Sequence, residues 1–371
     1  MGMRSRRVYV LQPALRDYRI EVYNQLSQMS DLTLGAVDKT VSRSLNSRVD
    51  FHPLKEGRCR FLPFTYLNGI EFLDSMEAQD VLLMNSNPRC LSNLRAYRKA
   101  RSVGAHVVFW NHGHTAGSPL WRSWFRYLFE RLADRNLLYY EHEKPYAERL
   151  GLKRSNIYAA GNTIDTEAVR RAESRWGHDR VHEFREREGL VGKKVVLYLG
   201  RITKKAHIEL LVESFLIARH RNPDLVLVVI GGTMDELLEN SNGLSRSDGG
   251  VRCLGALYDE DELAPWFLAS NVFFYAGSVG LSLIHAFAYG LPAVIHDDFQ
   301  HHMPESNLMR DGMTGYTFER GSADDAASKI LKLVEGVKEV EHMRVYAQRL
   351  VHHEYSLQNM VNNLQRAIDF S

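Results

Sequence analysis

The stretch Tyr275-Ala-Gly-Ser-Val-Gly-Leu-Ser-Leu-Ile-His-Ala-Phe-Ala-Tyr-Gly-Leu-Pro-Ala-Val-Ile295 begins at the end of an apolar run, Val272 to Tyr275. It passes through a small-residue loop into a helical pattern, and by Gly290-Leu-Pro292 into a second apolar run, Ala293 to Ile295. Strand, helix and strand in that order imply a parallel pair inside an α/β sheet. The loop is also suited to an anion. The backbone N–H groups of Val279, Gly280, Leu281 and Ser282 and the positive end of the helix dipole favour a phosphate there, and Gly280 lets it approach closely.

The same rhythm extends outward in both directions. Upstream lie the strand candidates Val195 to Leu199, Leu225 to Ile230 and Val251 to Leu254; the first is followed by a helix with apolar Ile208, Leu211, Val212 and Phe215. The helix Ala326 to Val334 comes later. The first half alternates likewise, through Val8 to Leu11, Tyr18 to Met29, Leu32 to Val37, Val81 to Met84, Leu91 to Ser102 and His106 to Trp110. Two doubly wound parallel sheets follow from these patterns. The boundary is expected near residue 165, with the charged stretch Glu167 to Glu188 as a linker and surface helix, and Ser241 to Gly250 as a flexible surface loop. Two such sheets facing each other would form a cleft, with ligands outside the carboxyl ends of the strands.

Composition narrows the function. Lys+Arg 47 against Asp+Glu 45 in 371 residues gives a net charge of +2, which argues against nucleic acid as a main partner. Cys59, Cys90 and Cys253 are widely spaced and form no C-x-x-C pair, which argues against a disulfide framework or structural zinc. No apolar run approaches the roughly 20 residues of a membrane span, and the opening residues read as a first strand rather than a signal peptide. A cytoplasmic protein is expected.

Just after Val195 to Leu199 stands Gly200-Arg-Ile-Thr-Lys-Lys205. Arg201 with Lys204 or Lys205 at a helix start would clamp a diphosphate, or would form a solvated basic loop. Further on come Leu254-Gly-Ala-Leu-Tyr258 with Glu262-Leu263, Gly280-Leu281, Ala286-Phe-Ala-Tyr-Gly-Leu-Pro292, Pro304-Glu305 and Asp311-Gly-Met-Thr-Gly315. In order and spacing these segments, with Gly200-Arg201, resemble family 4 glycosyltransferases across about residues 195–320. The first half fits more loosely, through Asn111-His112-Gly113 and Asn162-Thr-Ile-Asp165.

The resemblance implies an α/β GT-B fold of two Rossmann-like domains facing a central cleft. Residues 1–165 would bind the acceptor, 166–355 would bind the donor, and 356–371 would form a helix returning to the first domain. It implies a retaining transfer of a sugar from a nucleoside diphosphate to a glycan or lipid-linked glycan, in bacterial surface polysaccharide synthesis, with no bound metal or cofactor. By the same resemblance Arg201 and Lys205, with Lys204, would neutralise the leaving diphosphate. Leu257 and Tyr258 would take the base, Gly280, Leu281 and Ser282 the β-phosphate, and His112 would lie near the sugar; His285 would bind the ribose or pack in the core, and Glu305 would lie near the sugar or only begin a helix.

The sequence departs from the family at several points. Two glutamates eight positions apart are usual, and here they are Gly277 and His285; the family's lysine position falls on Ala206. His301-His302 replace a pair of small residues and would narrow the sugar pocket or add hydrogen-bond donors. A catalytically inactive sugar- or nucleotide-binding module and a sugar-nucleotide epimerase are the alternatives.

Two further segments carry open readings. In Leu120 to Leu132, the residues Trp121, Trp124, Phe125, Leu128 and Leu132 follow the spacing of a buried stripe. Arg122, Arg126, Tyr127 and Phe129 would remain on other faces, available to the inner surface of a membrane. In the loop after Val8 to Leu11, Arg16 or Asp17 would touch the acceptor, or Asp17 would cap the next helix.

Overall fold

The computed structural model describes residues 6–38, 41–60, 62–111, 120–245 and 250–370, with the side chains of residues 41, 120–123, 125 and 337 outside that description. The chain divides into two units, residues 1–162 with 357–371, and residues 163–356.

The first unit is built on a sheet of strands β1 (Arg7–Gln12), β2 (Asp31–Ala36), β3 (Val49–Pro53), β6 (Val81–Met84), β7 (His106–Asn111), β8 (Arg135–Leu138) and β9 (Ile157–Ala159). A hairpin of β4 (Lys55–Arg58) and β5 (Thr65–Asn68) stands apart from it. The sheet order is β3-β2-β1-β6-β7-β8-β9 and every pair in it is parallel. Its central strands are covered on both faces and therefore read as unbroken apolar runs. Val8, Val10, Leu32, Leu34, Val81 and Leu83 meet helix α1 (Ile20–Met29) on one face. Tyr9, Leu11, Leu82, Met84, Val107 and Phe109 meet α2 (Leu91–Val103) on the other. Helices α3 (Leu120–Glu130) and α4 (Lys144–Arg149) complete this part of the chain.

The second unit opens with α5 (Thr166–Ser174) and α6 (His178–Arg187). Asp165 caps α5 by accepting from the N–H groups of Glu167 and Ala168. Its sheet consists of β10 (Lys194–Leu199), β11 (Leu225–Ile230), β12 (Val251–Cys253), β13 (Val272–Tyr275), β14 (Ala293–His296) and β15 (Gly315–Phe318), ordered β12-β11-β10-β13-β14-β15 and parallel throughout. The order reverses between β10 and β13, which is where a doubly wound sheet opens a crevice at its carboxyl edge. Around it lie α7 (Ile208–Arg221), α8 (Met234–Glu239), α9 (Glu260–Leu268), α10 (Leu281–Ala288), α11 (Ala323–Glu335) and α12 (Val337–Glu354). The last helix, α13 (Leu357–Ile368), belongs to the first unit and buries Leu357, Met360, Val361, Leu364, Ala367 and Ile368 against the α1 face of its sheet.

Two expectations are corrected here. The charged stretch Glu167 to Glu188 is a surface helix pair rather than a linker: it forms α5 and the mostly exposed α6, which bury Val169, Ala172 and Phe184. Phe184 sits edge-on between Trp176 and Trp266, with ring centroids 5.7 and 4.9 Å away. The stripe expected to be buried on α3 and the turn after it is instead open to solvent at every position whose side chain is described, with Trp124 55%, Leu128 37% and Leu132 44% exposed; Trp121 and Phe125 lie outside the described side chains. Tyr127, Phe129 and Glu130 face inward, Phe129 stacking on Phe109 at 4.9 Å.

The cysteines are free thiols, and among the described residues no helix is long and apolar enough to cross a membrane. Part of Ser241 to Gly250 lies outside the described residues. Phe184→Ala should lower the unfolding free energy by about 3–5 kcal/mol, as for other buried aromatic truncations; urea unfolding followed by circular dichroism measures it.

Candidate functional site

At the reversal point of the second sheet, the loops that leave its strands are bound to one another. Ser278 N–H donates to the Lys205 carbonyl at 2.9 Å. A Cβ on Gly277 would stand 2.1 Å from that same oxygen and 2.8 Å from Ala206 Cα, so only glycine fits. This is why no carboxylate occupies position 277: the backbone after β10 fills the space. Beside it, Gly200 N–H donates to Ile230 O at 2.9 Å, and Gly231 N–H to Gly255 O at 2.6 Å. The loops after β10, β11, β12 and β13 thus form one hydrogen-bonded edge.

On that edge Arg201, Lys204 and Lys205 are exposed, whereas Ala206 is buried in the core. The cations precede α7 and stand against the loop that opens α10. Of the four amides expected to be free there, one is not. Val279 N–H donates to His302 Nδ1 at 3.1 Å, which leaves, among the described residues, the amides of the N-cap Gly280 and of Leu281 and Ser282 open to an anion. Glu305 is buried nearby, its Oε2 3.8 Å from where a Cβ on Gly280 would be.

The two histidines after β14 do different things. His302 Nε2–H donates to His296 O at 3.0 Å while Nδ1 accepts from Val279, which fixes a neutral tautomer. Its ring stacks on that of His296 with centroids 3.7 Å apart. Burial pushes the His302 pKa down to about 4. Burial, with the neighbouring His302, pushes that of His296 down to about 3. His302 is therefore no new donor for a sugar, because both ring nitrogens are spent on the loop. His301 is half exposed, its Nδ1 2.8 Å from Asp298, which also pairs with Arg320.

His285 lies on the second turn of α10, and its Nε2 donates to Glu260 Oε1 at 2.8 Å. The hydroxyl of Tyr289 donates to the same oxygen at 2.6 Å, and the His285 and Tyr289 rings stack on Phe267. Glu260 was not singled out from the sequence. Its partners are 25 and 29 positions away, and the local signal is no more than an acidic helix start. Leu257 is partly buried and Tyr258 80% exposed on the preceding loop.

Residues 181–350 match the family model described as Glycosyl transferases group 1. That glycosyl transferases group 1 segment holds every candidate residue of the second unit named above. Among solved structures, a glycosyltransferase from Rickettsia africae superposes with TM-score 0.74 at 13% identity, covering 99% of this chain and 100% of its own. Anabaena HepE in complex with UDP and glucose gives 0.70 at 12% identity over 98% and 99%. A putative UDP-N-acetylglucosamine 2-epimerase from Listeria monocytogenes gives 0.65 at 14% over 98% and 96%. These likenesses establish the GT-B fold with its two Rossmann-like domains. No curated protein matches the sequence.

In the first unit, His112 lies outside the described residues. Leading to it, Asn111 accepts from Ser86 N–H at 3.2 Å, and the Ser86 hydroxyl donates to buried Glu130 at 2.8 Å. Burial drives the Glu130 pKa up to about 7. Arg16 and Asp17 are exposed; Asp17 caps no helix, since the N-cap positions of the 3-10 turn and of α1 are Arg16 and Arg19. Among the described residues no group of three or more His, Cys, Asp or Glu is arranged to hold a metal.

Gly277→Ala should cost about 1–3 kcal/mol through overpacking, seen as a lower thermal midpoint, and Gly277→Glu should not gain activity. Acid should weaken the second unit in a defined window. His296 and His302 take up protons near pH 6.5 when unfolded but only near 3 and 4 when folded, so their contribution is complete above about 6.5 and falls away toward pH 4. Unfolding free energy measured across that range should fall less steeply in His302→Gln.

Proposed function

We propose that this chain is a retaining, metal-independent glycosyltransferase that moves a sugar from a nucleoside diphosphate to a hydroxyl of a glycan or lipid-linked glycan. One observation carries the reading: at the reversal point of the sheet, inside the segment matching the glycosyl transferases group 1 model, exposed Arg201, Lys204 and Lys205 stand beside the first turn of α10. Breaking a glycosyl–phosphate bond leaves negative charge on the diphosphate. Cations and amides held in place beforehand lower that barrier without reorganising. In this reading Arg201 grips two phosphate oxygens at once and Lys205, with Lys204, adds point charge. The amides of Gly280, Leu281 and Ser282 hold the β-phosphate, Leu257 and Tyr258 border the base, and Glu305 and His301 reach the sugar. The family resemblance adds His112 near the same sugar. UDP and sugar in the complexes of similar fold support this class of donor.

The exposed stripe Trp124, Leu128 and Leu132 supports a peripheral contact with an anionic membrane surface, where a lipid-linked acceptor resides. Exposed Arg131 and Arg101 border it, the latter donating to the Leu132 carbonyl at 2.6 Å.

A thermal-shift panel of UDP, GDP, ADP, CDP and dTDP should raise the midpoint with at least one of them. Arg201→Ala should weaken that binding by about tenfold or more, as for a lost charge-assisted contact. With the matching nucleotide-sugar, acceptor-dependent nucleotide release is expected; donor conversion without acceptor would mark an epimerase, and binding without turnover a binding module. Trp124→Ala with Leu128→Ala should reduce flotation with vesicles containing phosphatidylglycerol.

A further inference from the structure

The resemblance leaves the ribose to residue 285, which is a histidine without a carboxylate of its own. The structure supplies the carboxylate from another helix. Glu260 is the first residue of α9, two positions beyond Tyr258, and it is held by His285 and Tyr289 of α10.

Three features give this arrangement the form of a ligand site. First, both donors converge on Oε1, and among the described residues Oε2 receives no hydrogen bond. Second, the carboxylate is held rigidly: His285 and Tyr289 each stack on fully buried Phe267, with centroids 4.8 Å apart in both cases. Third, the position is dictated by the covalent order of a nucleotide. A nucleoside diphosphate with its phosphates on the first turn of α10 and its base on the loop of Gly255 to Tyr258 must place its ribose between them, where α9 begins and the second turn of α10 passes. Burial pushes the Glu260 pKa up, but the charge and hydrogen bond of His285 and the hydrogen bond of Tyr289 outweigh it, so the group lies below its ordinary value and is ionised at neutral pH. An ionised carboxylate with one open oxygen accepts hydroxyl protons strongly.

We propose that Glu260, oriented by His285 and Tyr289, is the carboxylate that binds the ribose hydroxyls of the donor, so that the ribose contact comes from α9 and not from α10. This rests on the nucleotide-sugar reading above. His285 is then a positioning residue and Glu260 the group that touches the ligand.

The test measures Kd by calorimetry for the best-bound of UDP, GDP, ADP and CDP and for its 2′,3′-dideoxy counterpart, in the native protein, Glu260→Gln, Glu260→Ala and Tyr289→Phe. The native protein should prefer the ribonucleotide by about tenfold or more, the value of hydrogen bonds to a charged group. In Glu260→Ala that preference should vanish, with the dideoxy compound bound as by the native protein. Glu260→Gln should retain part of it, and Tyr289→Phe should reduce it. Because each variant is its own control, a loss of stability shared by both ligands does not imitate the result. A preference that persists in Glu260→Ala, or equal weakening of both ligands, overturns the proposal and leaves the nucleotide site standing. No binding of any nucleotide by the native protein overturns both.

Discussion

The hydrogen bond from Ser278 N–H to the Lys205 carbonyl, and the backbone contact it fastens between Gly277 and Lys205-Ala206, is the constraint on which the candidate site depends. The two loops leave adjacent strands, β10 and β13, on opposite sides of the point where the strand order reverses. The join fixes the loop that carries the cations against the loop that opens α10. Joined at the backbone, they place positive side chains and open amides on one edge. The contact costs position 277 any side chain at all. What looks in the sequence like the loss of a functional carboxylate is, in the fold, the condition for a tight join.

The rest of the site follows from that economy. With the loop after β13 drawn toward β10, its amide at Val279 is taken up by His302, a neutral ring trapped between the Val279 N–H and the His296 carbonyl. The pair of histidines therefore acts as a strut under the opening of α10. Farther along that helix, His285 has no acidic group of its own and borrows Glu260 from α9.

The sequence made the alternation of strands and helices legible where a strand is a longer apolar run, as in Leu225–Ile230 and Val272–Tyr275; the interior strand Arg135–Leu138, broken by a buried Asn136, was not read from it. Short polar strands such as Lys55–Arg58 left no such trace. On α3, spacing identified Trp124, Leu128 and Leu132 as sharing a face but not what that face meets; the inward side carries Tyr127, Phe129 and the carboxylate Glu130. Periodicity reports companionship, not direction. In the site, the basic loop and the opening of α10 were readable because each is local. The Glu260 partnership was not, since it joins two helices across 25 positions, and neither was the reason for Gly277, which lies in the backbone of a distant loop.

The route of the chain has a consequence for how the protein is made. Helix α13 supplies Leu357, Met360, Val361 and Leu364 to the core under β1, β2 and β6, yet it lies on the far side of the whole second unit in the sequence. As the chain leaves the ribosome, the first unit must wait with the part of its α1 face that α13 occupies uncovered, while the second, a continuous segment, is synthesised and can close on its own. The unit that begins first is thus completed last. During that interval, α13's apolar docking surface on the first sheet is open to misassociation.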